Sequence, residues 1–353
     1  MATHPGDYAL SVIPGYRASR PGIQIGTKLP ARATEEDVRF IQQLGVEWVM
    51  ADVPPDGDHS AAGYAALREW VESYGLRIYR LANNRLHNME EITLNLPGRD
   101  AKIAEYLDYI RNLGAAGIHY STYAHMGNGI WSTGRGALRG GATARAFHLD
   151  EAREGHWLGK AFVGPLTHGR SYSEAELWDN YAYFIRQVVP VAEEAGVYIG
   201  IHPDDPPVYD LGGIPRCIFG SFEGYRRAIE IADSPNIGVC LCVGCWLEGG
   251  EAMGADVVET IRYFGSRQRL FKVHFRNVTA PMPEGFVETY LDDGYMDMHE
   301  VMRALGEVGY DGAIMSDHLE EMVGGGRAAE AFAVGYMKAL LQAVNKEYGA
   351  PQG

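Results

Sequence analysis

Eight short apolar or β-branched runs, each followed by a stretch of helical periodicity, constrain this chain more than any other feature. The first run, Ile23-Gln24-Ile25, leads into Thr34-Glu35-Glu36-Asp37-Val38-Arg39-Phe40-Ile41. There Thr34 suits an N-cap, the acidic first turn suits the helix dipole, and Gly45 ends the helix after Leu44. Runs at 47–50, 77–82, 117–123, 197–201, 237–242, 270–273 and 312–315 alternate with helical patterns near 61–74, 101–115, 173–195, 222–232, 254–264, 298–307 and 328–346. A doubly wound sheet shares the alternation, but eight βα units are the count of a (β/α)8 TIM barrel, an α/β fold. No Pro- or Ser-rich linker interrupts the units, so residues 1–353 are expected to form a single barrel domain.

One segment breaks the rhythm. Residues 124–171, which include HMGNGIWSTGRGALRGGATARAF, are rich in Gly, His and Arg and have little periodicity of either kind. A long structureless loop in a compact domain is usually functional. Because it follows the fourth expected strand, it should lie over the C-terminal mouth of the barrel, where this fold builds its active sites. It is expected to act as a lid or substrate loop.

The charge narrows the partners. With 31 Lys+Arg against 46 Asp+Glu, the formal charge is −15. That opposes nucleic acid or an anionic membrane as the main partner, and so opposes a DNA-repair role for the barrel. No stretch approaches the roughly 18 uninterrupted apolar residues of a membrane span, and the first residues lack a signal peptide's apolar core, so a cytoplasmic protein is expected. Four cysteines in 353 residues make no disulfide scaffold, and three of them crowd into CLCVGC at 240–245. Metal ligation is the chemistry to look for there.

Four potential ligands fall at the ends of four successive expected strands: His202 after 198–201, Cys242 at the end of 238–242, His274 after 271–273, and Asp317 after 313–316. All four should point into one mouth, and two imidazoles, a thiolate and a carboxylate suit a divalent transition ion with positions open for substrate or water. Cys240 shares a strand face with Cys242, and both Cys240 and Cys245 are read as packing residues. In His202-Pro203-Asp204-Asp205-Pro206-Pro207, two acids beside a ligand can orient the imidazole or bind substrate hydroxyls, Asp204 more than Asp205. Arg276, two residues beyond His274, suits a bidentate grip on a carboxylate or phosphate. His318, next to Asp317, suits proton transfer at neutral pH.

At these residues the chain resembles the mannonate dehydratase family. IHPDDPP, NIGVCLCVG, VHFRNV, DDGYMDM and SDH occur in the order of that family's metal-site segments and cover most of residues 196–320. The resemblance implies a metal-dependent hydro-lyase that converts D-mannonate, a small sugar acid, to 2-keto-3-deoxy-D-gluconate. It matches His202, Cys242, His274 and Asp317 to the Mn²⁺ ligands, Arg276 to the substrate-side arginine and His318 to the catalytic histidine; Mg²⁺, Co²⁺ or Zn²⁺ suit the same donors. Asn83, His87 and the stretch 123–131 with His125 resemble its substrate-binding loops. Met315-Ser316-Asp317-His318-Leu319 stands where the family usually has Arg-Pro-Asp-His-Gly, and Tyr336 lies later than the family's tyrosine before the last helix. A sugar isomerase or epimerase on the same barrel is the alternative, as is a silent barrel that binds a sugar acid. Barrels of this kind often pair, so a homo-oligomer is expected.

Overall fold

The computed structural model describes residues 7–348. Its centre is eight parallel strands: β1 (Gln24–Leu29), β2 (Trp48–Asp52), β3 (Arg77–Ala82), β4 (Tyr120–Ala124), β5 (Tyr198–His202), β6 (Ile237–Cys242), β7 (Leu270–His274) and β8 (Ala313–Met315). Chain neighbours pair in sequence from β4 through β8, β8 pairs with β1, and the ladder continues through β2 to β3. Every residue of β6 and β7 is buried. Strands covered on both faces have no polar side to alternate with, and this is why they read as short continuous runs.

Helices α1 (Glu35–Leu44), α2 (Ala61–Ser73), α3 (Arg99–Ala115), α4 (Glu174–Ala195), α5 (Phe222–Ala232), α6 (Val257–Gly265), α7 (Met298–Glu307) and α8 (Gly325–Tyr348) follow the strands in turn. Local chemistry sets several boundaries. The Thr34 hydroxyl and the Asp37 carboxylate form a reciprocal capping box at the start of α1, and Gly45 ends it in the left-handed region at φ 66°. α6 starts at Val257, later than its periodicity implied, because Asp256 caps it and is answered by Glu259. β1 runs on to Leu29, past the point where its apolar character fades.

The ladder leaves one seam, between β3 and β4. It is closed just beyond β3, where the Ala124 N–H donates to the His87 carbonyl at 2.8 Å. Lower down, the Tyr109 hydroxyl of α3 donates to the Leu81 carbonyl at 2.6 Å and lies 3.0 Å from Ser121 Oγ. One buried phenol thus bridges two strands that share no ladder. At the opposite end of the barrel, Leu10, Ile13 and Tyr16 form a buried plug, tied by the Tyr16 hydroxyl to the Tyr79 carbonyl at 2.6 Å.

Segment 124–171 departs from the expected structureless loop. Strands Ile130–Trp131, Glu154–Trp157 and Lys160–Val163 make one small antiparallel sheet. Gly134–Ala137 and Thr143–Phe147 join Phe286–Thr289 and Asn277–Val278 in a four-stranded one. These strands are two to five residues long, and Thr143–Phe147 pairs with the distant Phe286–Thr289, so periodicity has too few residues to register. Together they form a canopy over the mouth. No helix among the described residues is long and apolar enough to cross a membrane.

The seam makes a checkable point. Tyr109→Phe removes the only hydroxyl bridging Leu81 and Ser121 and should cost about 1–3 kcal/mol, read as a lower urea midpoint with metal content unchanged. An unshifted midpoint would mean that the ladder alone holds the seam.

Candidate metal centre

His202, Cys242 and His274 are the last residues of β5, β6 and β7, and Asp317 lies two residues past β8. Cys242 and His274 are register partners on adjacent strands. One donor atom from each of the four lies within 4.8 Å of the other three. His202 Nε2 is 3.2 Å from His274 Nδ1, which is 3.4 Å from Asp317 Oδ1, while Cys242 Sγ is 3.9 Å from Asp317 Oδ2. His202 Nδ1 donates to the Pro203 carbonyl at 2.7 Å, which turns Nε2 toward the group.

The electrostatics match the donor set. Burial pushes the Cys242 thiol up, but the Cys245 contact, the Arg276 charge and the two imidazoles outweigh it and hold the thiol well below its usual range. Burial opposes charge on Asp317 too, and His274 and His318 overcome it, so the carboxyl is held well below its usual range. In return, Asp317 and Cys240 overcome burial at His274 and raise it to about 10. Two anionic donors face two imidazoles, and these residues fit a divalent transition ion. Cys240 is no mere packing residue, since its Sγ is 3.8 Å from His274 Nε2.

Behind the ligands lies a buried charge network. Arg276, expected to grip substrate, instead turns inward because the chain runs straight from it into the canopy strand Asn277–Val278. Its guanidinium donates to Glu288 Oε1 at 2.5 Å, Glu248 Oε1 at 2.8 Å and Cys245 Sγ at 3.2 Å. Arg145, from the canopy, binds Asp205, Glu248 at 2.9 Å and Glu288 at 2.8 Å. Asp205, Cys245 and Glu248 form a second cluster of potential ligands, but the two guanidiniums already occupy its acids. Burial opposes charge on Glu288, and Arg145 and Arg276 reverse that and hold it far below the usual carboxylate range.

The mouth itself is a cavity of about 200 Å³ lined by His202, His274, Asp317 and His318 together with Lys28, Arg80 and Lys272. Burial lowers Lys272 to about 8. His87 also lines it, with Nδ1 3.0 Å from the Thr122 carbonyl, and burial holds it well below the usual imidazole range. Trp157 of the canopy stacks on His87, with ring centroids 5.4 Å apart. A larger groove of about 750 Å³ between Trp246, Val258 and Tyr295 contains none of these groups.

Of the expected residues, His87, His318, His202, His274 and Asp317 reach the cavity, whereas Cys242, Asn83, His125, Asp204 and Arg276 do not line it. Asn83 accepts from the Arg85 N–H at 3.2 Å and caps the turn after β3. His125 and Asp204 face a separate small cavity together with Arg216, whose Nη1 is 3.6 Å from Asp204. The reason is alternation after β5: Asp204 turns outward, and Asp205, its neighbour, lines the mouth. Lys28, Arg80, Lys272, Trp157, Glu288 and Arg145 went unread in the sequence. Lys272 had a signal, since it shares a strand face with His274 two residues on.

The D-mannonate dehydratase (UxuA) family model matches residues 32–157 and 160–349. A mannonate dehydratase from Streptococcus suis is 33% identical over 307 residues, covering 81% of this chain and 81% of that protein. The crystal structure of mannonate dehydratase from Streptococcus suis serotype 2 superposes with a TM-score of 0.79 at 28% identity, covering 94% of this chain and 97% of that one. A xylose isomerase domain protein from Planctomyces limnophilus, with a TM-score of 0.59 at 13% identity over 93% of this chain and 98% of that one, shares the barrel fold alone. Matches of this extent, on a barrel whose mouth gathers the four ligands, show that the chain belongs to the mannonate dehydratase family.

Proposed function

We propose that this chain is a hydro-lyase that removes water from D-mannonate to give 2-keto-3-deoxy-D-gluconate, with His202, Cys242, His274 and Asp317 holding Mn²⁺. The observation that carries the reading is the convergence of those four donors within 4.8 Å of one another at the barrel mouth. The reaction takes a proton from the carbon beside a carboxylate and expels hydroxide from the next carbon. A divalent ion, when bound, supplies Lewis acidity toward the carboxylate and the charge that develops beside it.

The protein's own groups supply the rest. Lys28, Arg80 and Lys272, which line the same cavity, are suited to hold an anionic, polyhydroxylated substrate, a role first read for Arg276. Arg276 instead keeps the acids behind the ligands paired. His318 lines the cavity beside Asp317 and is suited to proton transfer. His87 and Trp157 form an aromatic wall of the cavity. A cytoplasmic homo-oligomer is part of the proposal; the exposed apolar side chains of Leu158 and Val163 on the canopy support an assembly surface.

Product analysis tests the reaction. NMR of the Mn²⁺-loaded protein with D-mannonate in D₂O should give a 2-keto-3-deoxy acid carrying deuterium at C3. Exchange or inversion at C2 without loss of water would make the chain an epimerase. Two substitutions divide the roles. His274→Ala should lose bound metal and activity together, measured by elemental analysis and turnover, and full activity without metal would reject the site. His318→Gln should keep its metal while kcat falls by about 10²- to 10⁴-fold; a near-normal kcat would remove His318 from the mechanism.

A further inference from the structure

We propose that Glu288 is the positioning residue for His318, accepting the Nδ1 proton so that Nε2 is the atom presented for proton transfer. The inference rests on the reading of His318 as the proton-transfer group. Glu288 sits on the canopy strand Phe286–Thr289, which pairs with Thr143–Phe147 and so brings Arg145 to the same carboxylate. It is buried at 4% exposure. Its Oε1 is 2.5 Å from Arg276 Nη1 and 2.7 Å from His318 Nδ1.

Nδ1 is also 2.7 Å from Arg276 Nη1, so the three atoms form a nearly equilateral triangle. Its edges decide the tautomer. If Nδ1 accepted from Arg276, one NH₂ group would serve two acceptors about 60° apart, whereas its two protons diverge by about 120° in the rigid fork. The carboxylate and a bare Nδ1 would also face each other as two acceptors with no proton between them. When Arg276 and His318 each donate to Oε1, both conflicts go, and the edge left without a hydrogen bond is Nη1 to Nδ1, whose protons both turn toward the charged carboxylate, the stronger acceptor. Nε2 then lies 3.8 Å from Asp317 Oδ2, beyond hydrogen-bond reach and on the side of the ligand group. A carboxylate on Nδ1–H fixes the ring and stabilises the imidazolium formed when Nε2 takes a proton, the same logic by which an acid orients the histidine of a serine protease.

Glu288→Gln and His318→Gln, compared side by side, test the assignment. In Mn²⁺-loaded Glu288→Gln, kcat for D-mannonate should fall about 10- to 100-fold while KM and metal content stay near wild type. Unchanged kcat in Glu288→Gln, with His318→Gln inactive, overturns the role of Glu288 and leaves that of His318 standing. Near-normal kcat in His318→Gln overturns the reading beneath it. The tautomer is read independently by ¹⁵N NMR of histidine-labelled, Zn²⁺-loaded wild type, with the His318 signals identified by their loss in His318→Gln. A protonated Nδ1 supports the proposal. A bare Nδ1 with the proton on Nε2 overturns it, even where Glu288→Gln does not fold.

Discussion

Buried charge at the barrel mouth is the constraint on which the rest of the structure depends. Asp205, Glu248, Glu288 and Asp317 are exposed by no more than 8%, and an unpaired charge in such a place costs several kcal/mol. Arg276 comes from the end of β7 and Arg145 from the canopy, and the two interleave with these acids. Neither strand ends nor canopy can shift alone without stranding a charge. The long segment after β4 is therefore bound to the barrel by electrostatics as much as by its short strands.

That pairing divides the mouth chemically. Asp205, Glu248 and Glu288 are paired with Arg145 and Arg276, which leaves Asp317 facing the cavity beside His202 and His274, with Cys242 fully buried in the same group of donors. In the same cavity Lys28, Arg80 and Lys272 supply positive charge; the Lys28 ammonium donates to the Asp317 carbonyl at 2.5 Å, and Arg80 Nη1 is 3.4 Å from Asp52, at the edge of an ordinary hydrogen bond. A cavity that combines a group of metal-binding donors with ammonium and guanidinium groups suits a small polyhydroxy acid better than a neutral sugar. The aromatic pair His87 and Trp157 closes it on the canopy side.

Much of the barrel was legible because its signals are local. Continuous apolar runs mark strands buried on both faces, and Thr34 and Gly45 mark helix ends through contacts within four residues, a signal that Asp256 also carried and that periodicity alone overlooked. The convergence of His202, Cys242, His274 and Asp317 was legible for a related reason: in a parallel barrel every strand end faces the same mouth, so a residue type at the end of a run already carries its position. Lys28 was lost because β1 continues through Gly26 and Thr27, where hydrophobicity fades although the ladder does not. Asp204 and Asp205 were weighed the wrong way round because the turn after β5 decides which of two adjacent carboxylates faces inward.

The sequence by itself determined the eightfold βα order, the family and the placing of four metal-binding residue types at one mouth, since each is written in short-range pattern or in residues placed at strand ends. Tertiary structure alone decided that Arg276 faces acids instead of substrate, that Arg145 crosses from the canopy to meet it, and that Glu288 meets His318. Those partners lie between 12 and 143 residues apart, and periodicity holds no information about which distant charges will be buried together. Pairing them is a requirement of desolvation, and it acts only once the chain has folded.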